Sequence, residues 1–169
     1  MGHQEHERRA REAATTIRCG VLTISDTRTP ETDESGAIIH SLLTQAGHDV
    51  VRYAVARDEP AEIAGLVRDY AAEGCKLIIT NGGTGIARRD STFEAIDGLL
   101  EKRLPGFGEL FRMLSYGEIG PAAMLSRATA GVYREALIFC LPGSTNAVRL
   151  AMERLILPQL AHLVWETVR

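Results

Sequence analysis

The sequence predicts an α/β domain in which a largely parallel sheet carries helices on both faces. Short apolar runs rich in β-branched residues recur at 19–25, 76–79 and 136–141, each bounded by turn formers, as buried strands require. Stretches with helical spacing separate them. Polar residues or glycines follow each run: Ser25-Asp26, Asn81-Gly82-Gly83 and Pro142-Gly143-Ser144. In an open α/β sheet such positions fall at the C-terminal ends of the strands, where ligand-binding groups gather.

Length and composition bound the assembly of these elements. The chain has 169 residues, 45% of them hydrophobic, which suits one compact domain burying roughly 70% of its unfolded-state surface. A net charge of −3 gives no basic excess to draw nucleic acid. No apolar run is long enough to span a bilayer, and no apolar signal core follows the N-terminal charges, so a cytoplasmic protein without membrane attachment is expected. Cys19, Cys75 and Cys140 are odd in number, far apart, and in or beside predicted strands; they read as inert, buried thiols. Residues 1–16 are polar, charged and Ala-rich, and read as a flexible arm ahead of a single domain at 17–169. His3, Glu5, His6 and Glu7 in that arm have nothing apolar to fix them in one metal geometry, so they read as a solvated tail.

In chain order, strand 19–25 ends just before Asp26, and 27–34 is a polar loop containing Pro30. Asp33 and Ser35 are both N-cap candidates for a helix to about 46, which Gly47 terminates. A second strand spans 48–55, and a helix through about 72 follows Arg57-Asp58-Glu59-Pro60. Asp58 either caps that helix, with Pro60 in its first turn, or joins Asp26 and Asp90 as a third carboxylate on one sheet edge, the set a metal-assisted nucleotide site requires. Beyond strand 76–79, Asp90 or Ser91 can cap a helix to about 100. Pro105-Gly106-Phe107-Gly108-Glu109 opens another to about 116, with Leu110, Phe111, Met113 and Leu114 as core or oligomer contacts. A loop passing into an edge strand is expected within 122–133, then strand 136–141 and a helix from Ser144 or Thr145 to about 165.

The stretch 80–90, Thr-Asn-Gly-Gly-Thr-Gly-Ile-Ala-Arg-Arg-Asp, holds the densest chemistry. Gly82, Gly83 and Gly85 permit positive φ and close approach of a ligand to backbone amides. Thr84 adds a hydroxyl donor, Arg88 and Arg89 positive charge, and Asp90 a carboxylate able to hold a divalent cation. A P-loop is excluded because no Gly-Lys-Ser/Thr closes the stretch, and a dinucleotide fingerprint because Arg88 stands where its glycine belongs. A tight turn after a strand accounts for the glycines alone; the charges and hydroxyls beside them favour an anion site. Gly143 and the helix start at Ser144 or Thr145 form a second candidate anion site, or a simple strand-to-helix turn.

Six motifs then carry a family resemblance: Thr23-Ile24-Ser25-Asp26, Asp33-Glu34-Ser35-Gly36, Asn81 to Gly85 with Arg89-Asp90, Pro105 to Glu109, Ser126-Arg127, and Leu141 to Ser144. In this order they resemble the molybdenum-cofactor biosynthesis family that includes MogA, MoaB and the gephyrin G domain. The likeness runs from about 18 to 169, and the run 111–115 with the Pro-Gly-Ser-Thr turn looks more like the MoaB branch. Asn81 stands where a threonine or another residue precedes the glycine core in the family.

The resemblance implies a three-layer α/β/α sandwich with one antiparallel edge strand, and adenylylation of molybdopterin with Mg-ATP, releasing pyrophosphate, ahead of metal insertion. It places the pterin phosphate on Asn81 to Gly85 with Arg89, and Ser126, Pro142, Gly143 and Ser144 in the same pocket. Asp58 and Asp90 match the two acidic positions on which family activity depends. Ser25, Asp26, Asp33, Ser35, Gly36 and Glu109 fall in the remaining matched motifs. A homotrimer, or a hexamer of two trimers, is implied. Two functions follow: a transferase with magnesium on Asp90 and on Asp26 or Asp58, or a non-catalytic molybdopterin carrier.

Overall fold

The computed structural model describes residues 16–168. The expected flexible arm at 1–16 lies almost wholly outside the described residues, as do His3, Glu5, His6 and Glu7. Among the described residues six strands form one sheet: β1 (Arg18–Ile24), β2 (Asp49–Ala56), β3 (Leu77–Asn81), β4 (Lys102–Arg103), β5 (Thr129–Tyr133) and β6 (Ala136–Leu141). Their spatial order is β2-β1-β3-β6-β5-β4. β2, β1, β3 and β6 are mutually parallel, β5 runs antiparallel to β6, and β4 pairs antiparallel with β5.

Strand alternation separates two cores. Cys19 and Val21 of β1, Leu77 and Ile79 of β3, and Leu137, Phe139 and Leu141 of β6 face one layer; Leu22, Ile24, Ile78, Ala136, Ile138 and Cys140 face the other. Helices α1 (Glu34–Gln45) and α4 (Pro105–Ile119), with the C-terminal helices, cover the first face, through Ile39, Leu43, Phe111 and Ile156 among others. Helices α2 (Pro60–Ala72) and α3 (Thr92–Asp97) cover the second through Ile63, Val67, Tyr70 and Ile96. Phe107 packs edge-on against Phe139, ring centroids 4.9 Å apart, and so ties α4 to the sheet. This is the three-layer α/β/α sandwich expected.

Several boundaries differ from the sequence reading for identifiable reasons. β3 continues through Thr80 and Asn81, which pair with Leu22 and Thr23 on one side and Cys140 and Leu141 on the other. The predicted edge strand, β5, has the two-residue β4 outside it, too short to leave any periodicity in the sequence. Helix α3 stops at Asp97, before Gly98. The predicted C-terminal helix divides into α5 (Thr145–Ala151), a π turn at Met152–Ile156 and α6 (Leu157–Val168). Pro158 explains the turn: it has no N–H, and its ring crowds the carbonyl four residues back. The Leu157 N–H accordingly donates to the Met152 carbonyl five residues back.

Asp33 caps α1 by accepting from the Gly36 N–H at 3.0 Å, and Gly47 ends it at φ 85°. The three cysteines are free and buried, and burial pushes Cys19 and Cys140 up to about 12. On α4, Phe111 is buried and Leu114 packs on the core, whereas Leu110 and Met113 are exposed. Among the described residues no helix is long and apolar enough to cross a membrane.

Candidate functional site

The site follows from the order in which the strands are laid down. β1 has β2 on one side and β3 on the other, with α1 and α2 on opposite faces, so the winding reverses between β1 and β3. Helices crossing to opposite faces leave a crevice beyond the C-terminal ends of those two strands. Three segments meet there around a cavity of about 430 Å³. The glycine loop supplies Gly82 to Gly85 with Asp90, the segment after β1 supplies Ser25, Thr27 and Arg28, and the turn after β6 supplies Pro142 and Gly143. Leu125 completes the lining together with Ile24.

Each segment is shaped locally. Ser25 Oγ accepts from the Thr27 and Arg28 N–H groups at 3.2 and 3.0 Å, which folds the chain into a turn directly after β1. Gly82 and Gly83 sit at φ 96° and 65°, in the left-handed region that side chains avoid. A Cβ on Gly82 would lie 2.2 Å from the Ile24 carbonyl oxygen; one on Gly83 would lie 2.0 Å from Thr92 Oγ1 and 2.3 Å from Asp58 Oδ2. Gly85 needs no left-handed backbone, but its Cβ would lie 2.5 Å from Asp90 Oδ2. The missing Cβ atoms therefore make room for two carboxylates behind the loop. The Gly82 N–H is spent on the Leu141 carbonyl at 3.0 Å, whereas the amides of Gly83, Thr84 and Gly85 meet no protein acceptor among the described residues. Such adjacent amides are the elements of an anion cradle.

The carboxylates are held differently. Asp58 is buried and does not cap α2, whose N-cap is Glu59. It accepts instead from the Ser91 N–H at 3.2 Å, Ser91 Oγ at 2.7 Å and Thr92 Oγ1 at 3.4 Å, while the Thr92 N–H donates to the Gly83 carbonyl at 3.0 Å. Asp58 thereby fastens the end of the glycine loop to the β2–α2 connection. Asp26 is gripped by Arg89, whose Nε and Nη2 both donate to it within 3.1 Å while Nη1 donates to Glu59 at 2.8 Å. Those bonds, with the Asp58 N–H as second cause, hold the Asp26 carboxyl below its ordinary range. Asp90 accepts from the Ala87 N–H at 3.0 Å and lines the cavity.

The expected three-carboxylate set is therefore not assembled. Among the described residues no three His, Cys, Asp or Glu groups come together to hold a metal, because Arg89 engages Asp26 and Ser91 with Thr92 engages Asp58. Of the expected magnesium ligands, Asp90 lines the cavity and Asp26 and Asp58 do not. Magnesium is commonly held by one or two carboxylates with water and substrate phosphates, so Asp90 beside an anion cradle fits the ion as part of a phosphate complex.

The other expected residues divide. Gly82 to Gly85, Pro142, Gly143 and Ser25 line the cavity. Asn81 is fully buried at the end of β3, its amide donating to Thr23 Oγ1 at 2.9 Å. Asp33 and Gly36 build the first turn of α1, and Ser35 Oγ donates to the Gly143 carbonyl at 2.6 Å. Ser144 caps α5 by accepting from the Ala147 N–H at 3.2 Å. Ser126 precedes β5, and Glu109 is exposed on α4; neither lines the cavity. Arg88 is exposed and also outside the lining. The sequence reading passed over Thr27, Arg28 and Leu125. A basic residue three positions after Ser25, beyond the same strand end as Asp26, was the available signal for Arg28.

Comparison with known proteins identifies the family. The family described as "Probable molybdopterin binding domain" matches residues 20–162. The chain belongs to the molybdenum cofactor biosynthesis family. Within it, Molybdenum cofactor biosynthesis protein B of Bacillus subtilis is 51% identical over 168 residues, covering 98% of this chain and 97% of that protein. A solved structure of a Molybdenum cofactor biosynthesis protein B superposes with a TM-score of 0.88 at 51% identity, covering 92% of this chain and 98% of that one. The tungsten cofactor synthesizing protein MoaB from Pyrococcus furiosus superposes at 0.85 with 36% identity, covering 92% and 99%. This family member thus sits with the MoaB branch.

Proposed function

We propose that the protein is a cytoplasmic molybdopterin adenylyltransferase using Mg-ATP. In the reaction a terminal phosphate oxygen of molybdopterin attacks the α-phosphorus of ATP, the bond from that phosphorus to the bridging oxygen breaks, and pyrophosphate leaves with the electron pair. The observation that carries this reading is a cavity-facing carboxylate, Asp90, beside the amides of Gly83, Thr84 and Gly85. A pure carrier of an anionic ligand gains nothing from a carboxylate in that wall, because like charges repel unless a cation lies between them.

Each residue has a task. The loop amides and Thr84 bind phosphate oxygens, Asp58 keeps the loop in that shape through Ser91 and Thr92, and Asp90 would hold the magnesium. When bound, the ion offsets negative charge on the phosphates. Nucleotidyl transfer relies on alignment and charge neutralisation, so no covalent nucleophile is required. The exposed apolar residues Leu110, Met113, Tyr116 and Ile119 on α4 support the homotrimer or hexamer as part of the same proposal.

The alternative, a non-catalytic carrier, is favoured by one observation: Asp26 and Asp58 are both committed to protein donors, which leaves a single cavity-facing carboxylate. Incubation with purified molybdopterin and Mg-ATP separates the two. The transferase yields pyrophosphate and a pterin heavier by one adenylyl group. Tight pterin binding with neither product establishes the carrier.

A further inference from the structure

Arg28 supplies the one cationic side chain among the described residues that line the cavity. Its guanidinium is half fixed and half free. Nη1 donates to Ser35 Oγ at 3.2 Å and to the Gly143 carbonyl at 3.3 Å, and lies 3.9 Å from Asp33 Oδ1. Asp33 is a firm anchor: its side chain is fully buried, and it accepts from Tyr53 Oη at 2.7 Å and from the Gly36 N–H at 3.0 Å. Gly36 keeps that space open, since a Cβ there would lie 2.1 Å from Asp33 Oδ2.

The rest of the fork is uncommitted. Arginine carries five N–H donors, and among the described residues Nε and Nη2 of Arg28 have no acceptor, while the side chain is 36% exposed. Arg89 is the contrasting case: Nε, Nη1 and Nη2 all donate to Asp26 or Glu59. Burial of one guanidinium edge against Asp33, Ser35 and Gly143 removes much of the rotamer freedom that a surface arginine loses on binding, and a planar fork suits phosphate geometry.

We propose that Arg28, rather than Arg88 or Arg89, is the specificity-determining cation of this cavity: it receives the phosphate of the ligand, and it selects phosphorylated over dephosphorylated pterin. The proposal rests on the reading of the cavity as a molybdopterin site and deepens it. Asp33 is then a positioning residue that acts through Arg28.

The test measures binding of molybdopterin, its dephosphorylated form and inorganic pyrophosphate to the full chain, to Arg28→Gln and to Arg28→Lys, with circular dichroism checking the fold. Hydrogen bonds to a charged partner are worth about 1.5–3 kcal/mol, so Arg28→Gln should weaken molybdopterin binding by roughly 10-fold or more. Its affinity for the dephosphorylated pterin should stay at the parental value, and Arg28→Lys should fall between. A merely structural role would weaken both pterins alike, so equal losses overturn the proposal, as does full discrimination by Arg28→Gln. Failure of the underlying reading has a separate signature: pyrophosphate binding that depends on Arg28 with no pterin binding by the parent sinks the molybdopterin assignment and keeps Arg28 as the phosphate receptor. Parental pyrophosphate and molybdopterin affinity in Arg28→Gln removes Arg28 from the site.

Discussion

Asp58 and Asp90 stand behind two glycines of one loop, and their surroundings differ. The first has Gly83 against it and the second Gly85, each in space that a Cβ would occupy. Asp58 is buried and accepts from the Ser91 N–H, the Ser91 hydroxyl and the Thr92 hydroxyl. Asp90 takes the Ala87 N–H and lines the cavity. A buried carboxylate is tolerable only when donors satisfy it, and the donors that satisfy Asp58 belong to the chain it must hold. Two residues that the family resemblance treats alike thus separate into a fastening and a cavity-lining group.

Removing the ligand-facing charge is the sharpest way to break that distinction. Asp90→Asn keeps size and hydrogen bonding, so Tm and molybdopterin affinity should stay near the parental values. Turnover should fall by a factor of about 100 or more, the usual loss on deleting one electrostatic catalytic group. Adenylylated product at the parental rate would remove Asp90 from the mechanism and shift the burden to Asp26 and Asp58.

Asp58→Ala should fail in the opposite manner. It strips the acceptor from a partly buried N–H and two hydroxyls, which costs about 2–3 kcal/mol and, in a domain of this size, lowers Tm by roughly 5–10 °C. Pterin affinity should fall with it, because the glycine loop loses its fastening at Thr92. Unchanged Tm with lost turnover would place Asp58 in direct contact with substrate and dissolve the contrast with Asp90.

This contrast also marks the limit of legibility in the sequence. Strands β1, β3 and β6 announce themselves as apolar runs because both faces are buried, and the edge that carries the site follows from their ends. That Asp58 reaches Ser91 rather than capping α2 depends on how β2 and β3 are placed about β1, across 33 residues of chain. No local pattern encodes it. Asn81 reads as loop because glycine follows it, yet pairing with Thr23 and Leu141 draws it into β3 and out of the cavity. Pro158 was the available signal for the π turn, although one unbroken helix is the sequence expectation there, whereas β4 offers two residues and no period. Arg28 lacks a glycine-rich setting; only the tertiary meeting of Asp33, Ser35 and Gly143 gives it a fixed direction.

The weakest expected effect concerns Arg89, and it sharpens the comparison by testing whether Asp26 is a third member of the pair or a surface partner. Arg89 and Asp26 are both substantially exposed, so their ion pair is screened and should contribute little; Arg89→Gln should shift Tm only slightly at pH 7. The sign of its pH dependence is fixed. Because the folded-state Asp26 carboxyl is held below its ordinary range, its contribution is present above the unfolded value of about 3.9 and is lost as pH falls through the lower folded value. The Tm difference between parent and Arg89→Gln should therefore be level from about pH 5 to 8 and shrink in stronger acid. Salt near 1 M, where screening reaches about 3 Å, should shrink it further. Pterin affinity should be unaffected, since Arg89 is already committed to Asp26 and Glu59. A large, salt-sensitive loss of molybdopterin affinity in Arg89→Gln would instead mean that Arg89 leaves Asp26 for the ligand, freeing that carboxylate to join Asp90.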